Sequence, residues 1–236
     1  MCGRYSNTGT KADQFHVRMA ELLGVPAPDF DEGFERFNIA PTQEVAAAVD
    51  DTDGRRIELL RWGLLRGCAQ EAKPGFPMIN ARAETARERP TYRDLIERSQ
   101  RRCLVLADGW YEWQKPEDPR QPRRPVRFSL KEGVPFGFAG LWMPGPQASC
   151  TIVTCAANDL ARPIHDRMPV VLAEPASWHA WLDPALDGAA ACELLTPVSS
   201  DTLAVRRVSS AVNSVRNDGP ECLGSADRED LQLQLS

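Results

Sequence analysis

Apolar residues in this chain fall mostly into short runs separated by glycine, proline and aspartate. Runs of that length, bounded by turn residues, predict strands. They cover 44–49, 56–62, 102–107, 125–130, 136–142, 150–156, 170–172 and 203–208. The 102–107 strand is expected to continue through Asp108 to Trp113, and Cys2 to Ser6 reads as extended. Asp51 to Gly54 has hairpin-turn composition and joins the first two runs. A helical period shows elsewhere. Thr10-x-x-Asp13 is a capping-box-like start, Phe15, Met19, Leu22 and Leu23 mark one face, and Gly24 ends the helix. Residues 91–100 read as a second helix with Tyr92, Leu95 and Ile96 inward, and 177–182 and 189–195 also look helical. Phe37 to Thr42 leads into the 44–49 strand.

Strands outnumber helices and do not alternate with them. That predicts an α+β fold, an antiparallel β-rich, barrel-like core with peripheral helices. Neither a phosphate-cradling GxxxxGK[ST] nor a dinucleotide GxGxxG is present. The 236 residues read as one domain over 1–217, followed by an acidic, loose tail over 218–236.

Composition narrows the picture. A 42% hydrophobic chain can build a core. No apolar run reaches 18 residues, and no basic-then-apolar leader opens the sequence. A cytoplasmic monomer without membrane contact is expected. The seven cysteines, Cys2, Cys68, Cys103, Cys150, Cys155, Cys192 and Cys222, form no CxxC pair, so neither a disulfide framework nor a metal site is indicated. Cys103 and Cys155 read as buried small hydrophobes. The tail after Arg216 carries −4 of the net charge of −5, which leaves the rest close to balanced. Phosphate binding therefore has to come from locally placed arginines. Arg120, Arg123, Arg124 and Arg127 form a Pro-rich group that reads as a solvated hairpin loop, and His16 reads as a surface histidine.

Four residues carry candidate chemistry. Loss of Met1 makes Cys2 the amino terminus, with an amine and a thiol on adjacent carbons. Their pKa values lie near ~8 and ~8.5 in model peptides, so both are partly nucleophilic at neutral pH. The amine can attack an aldehyde to give an imine, and the thiol can close a thiazolidine ring. Glu112 sits between Tyr111 and Trp113, where a carboxyl tends to hold its proton. Period-2 alternation places it on the face of Trp110. His165 is a natural proton shuttle near pH 7, and the Asn80 amide can hold an amine without competing for its proton. Alone, each has a simpler reading: an exposed strand Glu, a loop His, a turn Asn.

Eight motifs in order, MCGRY, FNIAP, WGL, NARAET, LADGWYEW, FAGLW, IHDRMPVVL and VSSAVNSVRND, change that weighting. With them the chain, from Met1 to about Asn217, resembles the SOS response-associated peptidase (SRAP) family of abasic-site processing proteins. The resemblance implies crosslinking, lyase-type activity on abasic sites in single-stranded DNA, through a thiazolidine on Cys2, with autocatalytic loss of Met1. It implies Asn80 as positioner of the amine, Glu112 as acid/base in ring opening and His165 as assistant in imine formation and reversal. It implies Arg4, Arg82 and Arg167 at phosphates, Pro41 as a wedge between bases, and no cofactor or metal. After Trp62-Gly63-Leu64 many relatives continue with proline and tryptophan. Here Leu65-Arg66-Gly67-Cys68 follows, so a base-stacking platform is missing. Two other classes stay open: an N-terminal-nucleophile cysteine peptidase pairing Cys2 with His165, and a non-covalent DNA-binding module.

Overall fold

The computed structural model describes residues 2–8, 12–28, 35–65 and 77–225, without the side chains of 12–16. Strands β1 (Tyr5–Asn7), β2 (Arg36–Ile39), β3 (Glu44–Asp51), β4 (Gly54–Trp62) and β5 (Asn80–Arg82) occupy the first part, with helix α1 (Ala12–Leu23) after β1. Helix α2 (Pro90–Ile96) precedes β6 (Arg102–Ala107), β7 (Gly109–Gln114), β8 (Arg124–Leu130), β9 (Phe136–Met143) and β10 (Ser149–Ala156). Then come β11 (Arg167–Pro169), β12 (Val171–Leu172), α3 (Pro175–Leu182), α4 (Gly188–Glu193) and β13 (Leu203–Arg207).

One sheet closes on itself. Strands β4, β3, β6, β9 and β10 are hydrogen-bonded in that order, and β10 returns to β4 through the parallel pairs Ser149↔Arg61 and Cys150↔Trp62. The other contacts round this ring are antiparallel. Such a barrel hides its edges and fills its interior with side chains. The second sheet, β13-β8-β7-β1-β2, is antiparallel throughout. Aromatic rings lock the two sheets together. Tyr5 meets Trp62 and Phe138 edge-on at 5.3 and 5.6 Å, and Trp110 meets Phe136 and Phe138 edge-on, each at 6.3 Å. The α+β class and the barrel-like core are as expected, and ring closure through a parallel contact is a detail beyond the strand pattern.

Three expectations are corrected. Residues 36–39 are themselves a strand, because Asp218 accepts the N–H groups of Phe37 and Asn38, both at 2.7 Å, while β1 pairs along them. The helix expected over 91–100 ends at Ile96, and Ser99–Arg101 is a tight 3₁₀ turn into β6. The chain also does not run straight from Ala107 to Trp113: at Asp108 it bends out of the barrel into the second sheet. The expected loose tail is packed as far as residue 225. Pro220–Leu223 form a 3₁₀ turn, and Cys222 is buried beside Phe37 and Tyr111. Residues 226–236 and the Thr10 cap lie outside the described residues.

The bend at Asp108 holds the amino-terminal strand in place. Its carboxylate accepts Ser6 Oγ at 2.7 Å, the Arg127 guanidinium at 2.8 Å, and both the backbone N–H and the hydroxyl of Thr8. Both members of the Asp108–Arg127 ion pair are nearly buried. A side chain at Gly109 would collide with that guanidinium, its Cβ lying 2.5 Å away. Removing one partner of a buried pair leaves the other charge uncompensated, at a cost of about 3–5 kcal/mol. Asp108→Ala should therefore lower the urea-unfolding free energy by roughly that amount with the denaturant slope unchanged. A loss below about 1 kcal/mol, the range of surface pairs, would show that the knot does not hold β1.

Candidate active site

Two strands assemble the site. β1 lies against β7 with Tyr5↔Trp110 in register, and the Tyr111 N–H donates to Arg4 O at 2.9 Å. That extends the ladder towards the terminus and brings Cys2 within electrostatic reach of Glu112. β10 does the rest. One edge of its second half pairs in parallel with β5, from Ile152↔Asn80 to Thr154↔Arg82. The other edge pairs antiparallel with β11, from Thr154↔Pro169 to Ala156↔Arg167. The NARAET and IHDRMP segments are thereby fixed on either side of one strand. Asn80 joins the two halves: its Nδ2 donates to Cys2 O at 2.7 Å. The Asn80 Oδ1 is buried and has no hydrogen-bond partner among the described residues, so it can accept from an incoming N–H or O–H.

The electrostatics are sharply divided. Cys2 is fully buried, and burial pushes its thiol well above the usual range, with the Glu112 charge acting the same way. Glu112 is only 6% exposed. Burial lifts its carboxyl to about 7, against the opposing pull of the amino-terminal charge and its hydrogen bond. His165 moves the other way: burial and then the amino-terminal charge lower it, so the ring is neutral at pH 7. Its Nδ1 accepts the Arg167 N–H at 3.0 Å, while Asp166 Oδ1 lies 2.9 Å from the same atom. One ring nitrogen cannot accept and donate at once. The lowered pKa and the mostly exposed Asp166 favour the amide bond, which leaves the hydrogen on Nε2. Glu112 and His165 line one cleft of about 700 Å³, with Trp113, Lys115, Arg123 and Arg162 among its other walls.

The three arginines singled out from sequence differ in availability. Arg82 is exposed. Arg4 donates from one amino group to Asn38 Oδ1 and Val212 O, both at 2.8 Å, and lies 5.7 Å over the Trp113 ring. Arg167 forms a bidentate pair with Glu84 at 2.7 and 2.9 Å and donates to Thr154 O. Pro41 begins the turn between β2 and β3. The next residue, Thr42, has φ +75°, an uncommon conformation for a β-branched side chain. It is held there by a 2.7 Å bond from its N–H to Trp62 O. The departure after Leu64 falls mostly on residues 66–76, outside the described ones.

Sequence reasoning missed Asn38, whose Nδ2 donates to the carbonyls of Val212, Ser214 and Asn217 while its Oδ1 receives Arg4. A polar residue inside the apolar FNIAP run was the available signal. It also left Arg123 in a solvent loop, whereas Arg123 reaches the cleft of Glu112 and His165. Among the described residues, no group of three or more His, Cys, Asp or Glu side chains is placed to hold a metal ion.

A buried Cys2, a carboxyl with a raised pKa at Glu112 and a neutral His165 imidazole, framed by a closed barrel, make up the candidate site. The chain belongs to the SOS response associated peptidase (SRAP) family, whose model matches residues 1–215. It is 36% identical to the abasic site processing protein YoqW of Bacillus subtilis, over 95% of this chain and all of that one. It is 31% identical to the abasic site processing protein YedK of Escherichia coli, over 94% and 99%. A protein from Bacteroides thetaiotaomicron shares the fold, with TM-score 0.75 and 21% identity over 95% of this chain and all of that one.

The Cys2 environment makes a direct prediction. A thiol held protonated and buried reacts slowly with alkylating agents, because the thiolate is the nucleophile. In the Met1-retaining protein at pH 7.5, iodoacetamide should label half-exposed Cys192 at least about tenfold faster than Cys2, read by peptide mass spectrometry. Equal rates would mean that the Cys2 thiol is accessible.

Proposed function

We propose that the chain, once Met1 is removed, captures abasic sites in single-stranded DNA as a thiazolidine on Cys2. The observation that carries this reading is the Asn80–Cys2 bond, which fixes the terminus beside Glu112 and the His165 cleft. Its similarity to abasic site processing proteins supports it.

The ring-closed abasic sugar is a hemiacetal. Glu112, as the carboxylic acid, gives its proton to the ring oxygen as the C1′–O4′ bond breaks, and the C1′ hydroxyl loses a proton to leave the aldehyde. The Cys2 amine adds to C1′, and the carbinolamine loses water to become an imine. The thiol sulfur then adds to the same carbon while its proton passes to nitrogen, closing the ring. Overall, aldehyde plus aminothiol gives thiazolidine plus one water. The raised thiol pKa sets the order: the sulfur stays protonated and the amine attacks first. Asn80 orients the amine, and His165 Nε2 relays protons in imine formation and its reversal. Effective molarity replaces tight binding as the source of rate. Arg82, which is exposed, meets a phosphate directly. Arg4 and Arg167 contact phosphates by exchanging or sharing an internal partner, and the turn at Pro41 separates flanking bases.

The test is a denaturing gel with abasic single-stranded DNA. Wild type should give a stable adduct, and Cys2→Ser should not, since serine keeps the amine but lacks the ring-closing thiol. A residue inserted before Cys2 should abolish it too. A stable Cys2→Ser adduct would rule out the thiazolidine.

A second prediction concerns pH. The Glu112 acid is present below about 7 and lost above it, whereas His165 is neutral above its lowered pKa and protonated below it. The adduct-formation rate should thus be bell-shaped. Glu112→Gln should remove the descending limb near pH 7 and slow the reaction about 10²–10⁴-fold at lower pH, the usual span of general acid/base help. A variant that keeps both the limb and the rate would exclude Glu112 as the acid.

A further inference from the structure

The cleft that holds Glu112 and His165 continues well past them. Its outer wall is cationic: Lys115 follows β7, Arg123 precedes β8, and Arg162 stands three residues before His165. All three are exposed. Among the described residues, neither Lys115 nor Arg123 has a carboxylate partner within ion-pair distance. Arg162 meets Asp159 at 3.5 Å, with both ends mostly in solvent, a contact of little strength, and donates to Ala157 O at 3.3 Å. Their neighbours behave differently. Arg120 is held by Asp118 and Arg127 by Asp108. Of the other two arginines in the Pro-rich group, Arg124 donates to Gln121 Oε1 at 3.2 Å, and Arg123 lines the cleft with no carboxylate partner among the described residues. The hollow beside it, about 400 Å³, shares Lys115 and adds Arg124 and Arg207. The two hollows make one path of positive charge leading away from Glu112.

Acidic groups face the same path: Asp166 at the mouth, Glu117 and Asp118 along the second hollow, and Glu112 at its inner end. Asp118 is neutralised by Arg120, and Glu112 is half-protonated at neutral pH. The cations therefore prevail. A single strand presents one phosphate per nucleotide, and exposed, unpaired Lys and Arg are the side chains that bind it.

We infer that Lys115, Arg123 and Arg162 bind the phosphodiester backbone on one side of the lesion, so that the strand leaves the site along the β7–β8 loop. This rests on the proposed abasic-DNA reading and assigns a polarity to it. Because Arg4 and Arg167 already hold internal partners, these three supply most of the salt-dependent attraction on that side.

The experiment separates the two ideas. Non-covalent binding is measured by fluorescence anisotropy with single strands carrying a tetrahydrofuran lesion, which cannot crosslink. Loss of three contacts should flatten the log–log salt dependence by about 2 and weaken binding at 50 mM salt by at least about tenfold in K115Q/R123Q/R162Q. A control that also removes three positive charges, at exposed residues lining neither hollow (R18Q/R98Q/K131Q), should leave both values unchanged. With the lesion at the 5′ or the 3′ end, the triple variant should lose affinity for only one of the two strands. An unchanged slope, or equal loss for both polarities, overturns the inference. A parallel gel with true abasic DNA reads the chemistry alone: wild type without an adduct sinks the thiazolidine reading, while a salt slope that still depends on the three residues keeps this one. Melting temperatures matching wild type exclude misfolding as the cause of any loss.

Discussion

Everything at the site depends on immobilising a strand of three residues next to a chain end. Ordering backbone costs about 1–2 kcal/mol per residue, and a terminus has partners on one side only. Here the opposing interactions are concentrated. Ser6 and Thr8 bind the Asp108 carboxylate, which Arg127 neutralises. Arg4 is fastened to Asn38 and Val212, and Cys2 to Asn80. Tyr5 plugs the barrel mouth against Trp62 and Phe138. The terminus is gripped from several elements, so slippage of β1 would break several bonds at once.

Burial then does chemical work of opposite sign on neighbouring groups. It raises the carboxyl of Glu112 and the thiol of Cys2, and it lowers the imidazole of His165. In each case the neutral form is favoured, as desolvation demands. The three groups therefore lie near one another with little charge–charge conflict. The same low-charge interior limits attraction for a polyanion, which places the task of holding DNA on the exposed rim.

Local pattern made much of this readable. The apolar runs from Glu44 to Val49 and from Arg102 to Ala107 are strands because their side chains fill the barrel. Period-2 alternation put Glu112 with Trp110, and both are buried there. What stayed hidden depends on long-range partners. Arg36 to Ile39 became a strand through Asp218, near the other end of the chain. The turn at Asp108 interrupts an otherwise continuous β pattern, because its meaning lies in Ser6 and Arg127. Arg123 looked like its paired neighbour Arg120, and only the path of the β7–β8 loop distinguishes them. The roles of Cys2, Asn80 and His165 were suggested by motif resemblance. Their approach follows from two-edged pairing along β10, which no single motif contains.

The clasp on the amino terminus has a consequence in time. Val212 receives Arg4, and Asp218 receives the backbone of β2, the strand that flanks β1. On the ribosome Val212 is added 208 residues after Arg4. A nascent chain thus carries Cys2 long before it owns the groups that secure this strand. Birth order and assembly order run in opposite directions, and the strand gains its full mounting only after residue 218 has emerged.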